Sequence, residues 1–189
     1  EQLGWFTSLA LAASLPLLAG AIIVGPSVVP QLFGDRYGPA GTPFVLLMGA
    51  AALVLVTITW AAAQVAAGDE RHAMYAVTCG AALNVAANLV LIPLFDTIGA
   101  AAATVGAEAV VLAYTVLRLR RRLGPVPLDT GRIGRALGAT ALMVAVVLAC
   151  AGALSPIGQV AAGVAAYAAA ALALAVVRLD ELRRLLPRG

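Results

Sequence analysis

Six apolar runs of about 20 residues, the length that crosses a bilayer as a helix, are separated by short stretches of charged residues, glycine and proline. The strands of a membrane barrel would alternate apolar and polar residues, and these runs do not. Because backbone groups in lipid must be paired within their own segment, the runs should be helical. The pattern therefore predicts an all-α, polytopic membrane helix bundle with about six transmembrane helices.

The predicted spans are residues 5–32, 43–66, 73–94, 98–117, 136–153 and 159–177. The first span contains three prolines, which remove backbone donors, so we expect a kink at Pro16 and a loosened end near Pro26 and Pro30. Residues 118–135 form the longest polar connection, and Asp129 or Thr130 is suited to cap the helix that follows. Residues 178–184 are predicted to form a short amphipathic surface helix.

Composition supports the membrane assignment, because only 11% of the residues are charged, against about 25% in soluble domains. The two cysteines lie inside apolar runs and are interpreted as packing residues, and His72 lies in a charged loop. The sequence contains no phosphate-binding glycine loop, no nucleophile beside a base and no metal-ligand spacing. We therefore expect neither an enzyme nor a bound cofactor or metal.

The arginines are distributed unequally between the connections. If the six spans alternate in direction, 11 of the 12 arginines fall on one side, and only Arg36 falls on the other. Basic residues beside membrane spans stay in the cytoplasm. The distribution predicts a multi-pass protein of the cytoplasmic (inner) membrane with both termini cytoplasmic. An arginine-rich loop at a membrane anchors to lipid headgroups, and we expect no nucleic-acid partner.

Glu108 is the one acid deep inside an apolar run. If the fourth span begins near Ile98, Glu108 lies about 15 Å into the helix, close to the middle of the bilayer. An ionised carboxylate facing lipid there is costly, so Glu108 should face the bundle or a water-filled cavity, or be protonated. Its candidate partners are Asn84, Asn88, a threonine or glutamine of the second span, and a group outside this chain.

Two hypotheses for Glu108 stay open: a protonated structural residue, and a residue that handles protons, ions or substrate. The polar residues that are candidates to line a path for substrate or ions are Glu108, Asn84, Asn88, Thr57, Thr59 and Gln64. The start of the fourth span carries a stripe of small residues that permits close helix packing: Gly99, Ala102, Ala103 and Gly106.

An ordered set of features resembles the C-terminal half of polysaccharide flippases in the multidrug/oligosaccharidyl-lipid/polysaccharide exporter superfamily. The features are LFGDRYGPA at residues 32–40, GDER at 68–71, Asn84 and Asn88, LIPL at 91–94, IGAA at 98–101, and Glu108. The resemblance covers residues 15–122. It implies two six-helix lobes in a V around a central cavity, and export of lipid-linked sugars by alternating access.

The resemblance also implies an organisation for the chain. Residues 1–122 would be four spans of the C-terminal lobe, 123–135 a cytoplasmic linker, and 136–189 an additional pair of spans with a basic tail. The N-terminal lobe of the same protein, with eight further spans before Glu1, would be missing. Partners would be membrane lipids, a lipid-linked sugar substrate and that missing lobe. Arginines that could contact headgroups or a substrate diphosphate are Arg118, Arg120, Arg121 and Arg122.

Two alternatives to the flippase remain. A cation-coupled multidrug exporter of the same superfamily would use the same helices, and coupling of cationic drug efflux to protons or sodium would identify it. A membrane scaffold without transport activity would bind partner proteins through the arginine-rich loop and the small-residue faces. A gene neighbourhood rich in glycosyltransferases would favour the flippase.

Overall fold

The computed structural model of the chain describes residues 2–177. It is all-helical, with 89% helix, and no strand occurs in that range. Its five α-helices are α1 (Gln2–Phe33), α2 (Gly41–Ala66), α3 (Glu70–Leu123), α4 (Thr130–Ala149) and α5 (Pro156–Ala173). All five are long and apolar enough to cross a membrane. The all-α prediction and the prediction of long apolar helices are confirmed.

Helix α3 is a hairpin of two helical arms. It contains 54 residues, which as a straight helix would extend about 81 Å. Asp96 interrupts it with φ 52° and ψ −131°, and Asn84 Nδ2 lies 3.3 Å from Thr104 Oγ1, 20 residues further along the chain. The chain therefore reverses at Asp96. The arms, residues 70–95 (α3a) and 97–123 (α3b), supply the third and fourth predicted spans.

Small residues set the spacing between the two arms. A Cβ atom added at Gly99 would lie 2.1 Å from the carbonyl oxygen of Leu91, and one added at Gly80 would lie 2.2 Å from Val111 Cγ2. Only half of the predicted stripe is correct: Gly99 and Ala103 are buried, but Ala102 and Gly106 are exposed. The buried face continues instead at four-residue spacing through Ala103, Ala107, Val111 and Thr115.

Helix α1 lies at the centre of the bundle. It packs against α2 on one side and against α4 and α5 on the other, and α2 in turn packs on α3. One buried cluster joins Val56 and Trp60 of α2 to Leu119 of α3b. Another joins Ala12 of α1 to alanines of α4 and α5. The α4–α5 pair therefore attaches to the rest of the described bundle through α1.

The helix ends lie in two groups, one at each end of the bundle, as expected for spans that alternate in direction. Leu3, Ala67 and Val126 belong to one packed cluster, so the start of α1, the end of α2 and the α3–α4 connection share one end. At the opposite end, the Ile157 backbone N–H donates to Gln31 Oε1 at 3.0 Å. Arg71 and the arginines of residues 118–135 lie at the first end. That this end is cytoplasmic stays a prediction.

The predicted helix boundaries on both sides of the α3–α4 connection are wrong. Helix α3b continues to Leu123, so residues 118–122 are helical and not part of a polar connection. Helix α4 begins at Thr130 and not at residue 136, because the Asp129 carboxylate accepts from the Arg132 backbone N–H at 2.8 Å. The Arg132 guanidinium also lies over the Trp5 ring, 5.3 Å from its centroid, which accommodates a charge in the first turn.

Other local features also differ from expectation. The predicted loop after α1 contains a 3₁₀ helix, Asp35–Ala40. Helix α1 is continuous from Gln2 to Phe33 and includes the three prolines, and the kink expected at Pro16 stays a prediction. Helix α5 starts earlier than predicted because Ser155 caps it, with Oγ accepting from the Gly158 backbone N–H. The predicted surface helix at residues 178–184 lies outside the described residues.

Candidate functional site

Asn84, Asn88 and Thr104 form a hydrogen-bonded network between the two arms of α3. Asn88 Nδ2 donates to Asn84 Oδ1 at 2.9 Å, and Asn84 Nδ2 donates to Thr104 Oγ1 at 3.3 Å. The Thr104 hydroxyl in turn donates to the Ala100 carbonyl at 3.0 Å. The two asparagines lie one helical turn apart on α3a, as their spacing predicts. The network therefore occupies the middle of an otherwise apolar hairpin.

One acceptor of this network has no partner. Asn88 Oδ1 is buried and accepts no hydrogen bond from any residue in the described range. A buried carbonyl oxygen without a donor costs free energy, and each amide oxygen has two lone pairs to fill. The network therefore contains one acceptor that is not satisfied by the described residues.

Glu108 lies one turn from Thr104 on α3b, near the middle of that arm. Its side chain is half-buried. Within residues 2–177, we find no hydrogen bond or ion pair to its carboxylate, so none of the partners predicted for it within the described chain is bonded to it. The carboxylate remains available to a group outside these residues.

The two threonines of α2 satisfy their hydroxyl donors within their own helix. Thr57 is buried and donates to the Leu53 carbonyl at 3.0 Å, whereas Thr59 is partly exposed and donates to the Leu55 carbonyl at 3.2 Å. Each hydroxyl oxygen can still accept a hydrogen bond. The structure does not join either threonine by a hydrogen bond to the Asn84–Asn88–Thr104 network.

Gln64 belongs to a different cluster at the arginine-rich end of the bundle. Its side chain is fully buried, and Nε2 lies 3.4 Å from Asp69 Oδ2. Asp69, which is only 6% exposed, also accepts from His72 Nδ1 at 2.7 Å and Arg118 Nε at 3.0 Å. Arg122 Nη1 forms an ion pair with Asp69 Oδ1 at 3.3 Å. This Asp69 cluster ties the α2–α3 loop to the end of α3b.

The Asp69 cluster divides the four candidate arginines into two classes. Arg118 and Arg122 are paired with Asp69, whereas Arg120 and Arg121 are exposed at the end of α3b. The hydrogen bond from the Arg118 guanidinium holds the pKa of the Asp69 carboxyl well below its usual range, because it stabilises the charged form. Arg120 and Arg121 are therefore the arginines best placed to contact an anionic headgroup or a diphosphate.

Two residues of these clusters were missed from the sequence. Thr104 lies four residues after Ala100 and four before Glu108, so the sequence places these three residues on one face of the helix. The contact of Thr104 with Asn84 depends on how the two arms of the hairpin pack against each other. In the sequence, Asp69 belongs to a short charged loop, which predicts an exposed side chain. Its burial results from arginines 49 and 53 residues later, and no local pattern predicts that pairing.

Chemically, the hairpin network offers neutral hydrogen-bonding groups one helical turn from a carboxylate, near the middle of the hairpin. Within residues 2–177, no group of three or more His, Cys, Asp or Glu side chains is arranged to hold a metal ion. Comparison of the chain with models of protein families, with characterised proteins and with solved structures finds no match.

Proposed function

We propose that the chain is part of a membrane transporter that flips lipid-linked oligosaccharide or polysaccharide precursors across the cytoplasmic membrane by alternating access. One observation carries the proposal: the Asn84–Asn88–Thr104 network and the unpaired Glu108, one helical turn from Thr104, lie near the middle of an apolar hairpin. Polar groups inside a membrane are costly and usually mark a path for substrate, ions or protons.

The chemistry of a lipid-linked sugar fits these groups. The sugar hydroxyls need hydrogen-bonding partners while they cross the hydrocarbon, whereas the lipid tail can stay in the membrane. Amide and hydroxyl side chains supply such partners without a fixed charge. The exposed Arg120 and Arg121 would attract the diphosphate at the cytoplasmic surface through charge-assisted hydrogen bonds. No catalytic step is part of the proposal.

The test replaces Glu108 by glutamine in the complete protein. We expect Glu108→Gln to abolish transport, measured as loss of surface polysaccharide and accumulation of the lipid-linked precursor on the cytoplasmic leaflet, with normal amounts of folded protein. Glu70→Gln is the matched control, because Glu70 is exposed in the first turn of α3 and should tolerate the change. Normal export by Glu108→Gln would remove the residue from the mechanism.

A cation-coupled multidrug exporter is the second candidate, because an unpaired carboxylate at half depth is also what proton or cation coupling requires. Efflux of a cationic dye that depends on a proton or sodium gradient, and fails in Glu108→Gln, would select it over the flippase. A scaffold without transport activity predicts that neither assay responds to the substitution.

A further inference from the structure

A cavity lies in the half of the bundle that faces away from the arginine-rich end. Its volume is about 500 Å³, which is within the range of small-molecule sites in proteins. It is bordered by the later part of α1, the first turns of α2, the last turns of α4 and the first turns of α5. Its lining includes Gly20, Phe44, Met48, Met143, Val160 and Tyr167.

Contacts between the bordering helices hold the walls of the cavity in place. Val24 of α1 and Met143 of α4 belong to one buried cluster. At the inner end, Pro16 has no backbone N–H, so the Ala12 carbonyl loses its donor within α1. The Tyr167 hydroxyl of α5 donates to this carbonyl at 2.5 Å. Because α1, α4 and α5 are joined in this way, the space between them is pre-formed.

The lining of the cavity is apolar. Among the described residues, no charged side chain lines it, and its polar side chains are those of Gln159 and Tyr167. Both are bonded within the protein: Gln159 Nε2 donates to the Leu154 carbonyl at 3.0 Å, and the Tyr167 hydroxyl donates to α1. Apolar cavities stay dry and take up apolar molecules. The lining therefore fits a hydrocarbon better than water or a sugar.

The cavity opens on the side of the bundle and has the length of one leaflet. Leu17, Val160 and Val164 line it and are themselves exposed, so it is open towards the hydrocarbon that surrounds a membrane-spanning bundle. Along α1 the lining extends from Pro16 to Val28, about 18 Å of helix. The hydrocarbon core of a bilayer is about 30 Å thick, so each leaflet contributes about 15 Å.

We propose that this cavity binds one acyl chain of a phospholipid from the leaflet opposite the arginine-rich end. The methyl end of the chain lies near Pro16 and the ester end near Val28. An empty cavity would leave its lining atoms without neighbours on one side, and the chain restores those dispersion contacts. The site requires that the chain spans a membrane, but it does not depend on the proposed transport activity.

Photo-crosslinking in phosphatidylglycerol vesicles tests the proposal. A fraction of the lipid carries a diazirine at the methyl end of one acyl chain, and labelled residues are mapped by mass spectrometry. We expect label on Ala21 and Met143, which line the cavity and are too buried to be reached from the outer surface. A diazirine nearer the ester should label Val147, which lies one turn further from the arginine-rich end. The reverse order would contradict the assigned leaflet.

Gly20→Phe supplies the filling variant, because Gly20 lines the cavity and a Cβ there has nothing within 4 Å. Gly106→Phe is the matched control, since its Cβ is equally open but lies outside the lining. We expect label on Ala21 and Met143 to be lost in Gly20→Phe and kept in Gly106→Phe. Thermal unfolding checks that both variants fold, and Gly20→Leu is the smaller filling variant if the first does not.

Two results would overturn the proposal at this point. One is label confined to exposed outer positions such as Ile22 and Leu142. The other is equal label on the buried lining residues in both glycine variants. A third experiment adds a minor fraction of polyprenyl phosphate to the vesicles. Loss of the phospholipid label from the cavity would assign the site to an isoprenoid chain and refute the phospholipid, whereas unchanged label would support it.

Discussion

Gly99→Ala tests the packing of the α3 hairpin with a single methyl group. The new Cβ would lie 2.1 Å from the Leu91 carbonyl oxygen, and carbon–oxygen contacts need about 3.3 Å, so the arms must separate by about 1.2 Å. If this shift extends along the arms, the 3.3 Å contact between Asn84 and Thr104 stretches to about 4.5 Å, which is no longer a hydrogen bond.

The expected cost follows from these two effects. Overpacking of a well-packed contact costs about 1–3 kcal/mol, and loss of a hydrogen bond between membrane helices adds about 0.6 kcal/mol. For a chain of this length, each kcal/mol lowers the melting temperature by roughly 2–4 °C. The neighbouring small residue Gly106 provides the matched control, because a Cβ there has nothing within 4 Å.

Thermal unfolding in detergent micelles measures both variants against the parent. We expect Gly99→Ala to unfold at a clearly lower temperature, and Gly106→Ala to match the parent or to gain up to about 1 kcal/mol from the better helix propensity of alanine. If Gly99→Ala unfolded at the parent's temperature, the close approach of the arms at Gly99 and Leu91 would be refuted.

The remaining predictions concern the ends of the bundle. Asp69→Asn should lower the melting temperature more than Asp35→Asn, because Asp69 is buried among arginines and Asp35 is exposed. The pKa of Asp69 is lowered in the folded protein, so its contribution to stability is complete above about pH 4 and is lost as the pH falls towards the folded pKa. A pH series of melting temperatures should therefore decline less in Asp69→Asn than in the parent; parallel curves would contradict this. Asp129→Ala removes the cap of α4 and should cost about 0.5–2 kcal/mol in denaturation experiments, with no effect expected from Thr42→Ala, an exposed position near the start of α2.

Several features could be predicted from sequence because they depend on local chemistry. The apolar runs predicted the long helices, the reversal at Asp96 falls between the predicted spans 73–94 and 98–117, and Asp129 was one of two predicted caps. The spacing of Asn84 and Asn88 placed them on one face, and they bond to each other. In each case the residues that decide the feature lie within a few positions of one another.

Other features could not be predicted from sequence because distant residues decide them. The predicted partners of Glu108 within the described chain do not bond to it, and Asn84 bonds instead to Thr104 across the hairpin. Gln64 was grouped with the path residues, but its hydrogen bond is to Asp69 at the end of α2. The register of one arm against the other selects these partners, and no short-range pattern encodes that register.

By itself, the sequence determined that this chain forms long apolar helices, because hydrophobic run length and unpaired backbone groups leave few other structures in a membrane. Only the tertiary structure decided which polar groups meet: Asn84 with Thr104, Asp69 with Arg118, and Tyr167 with the carbonyl that Pro16 leaves free. These pairs join residues 20 to 155 positions apart, and they form because packing brings separate helices to contact distance.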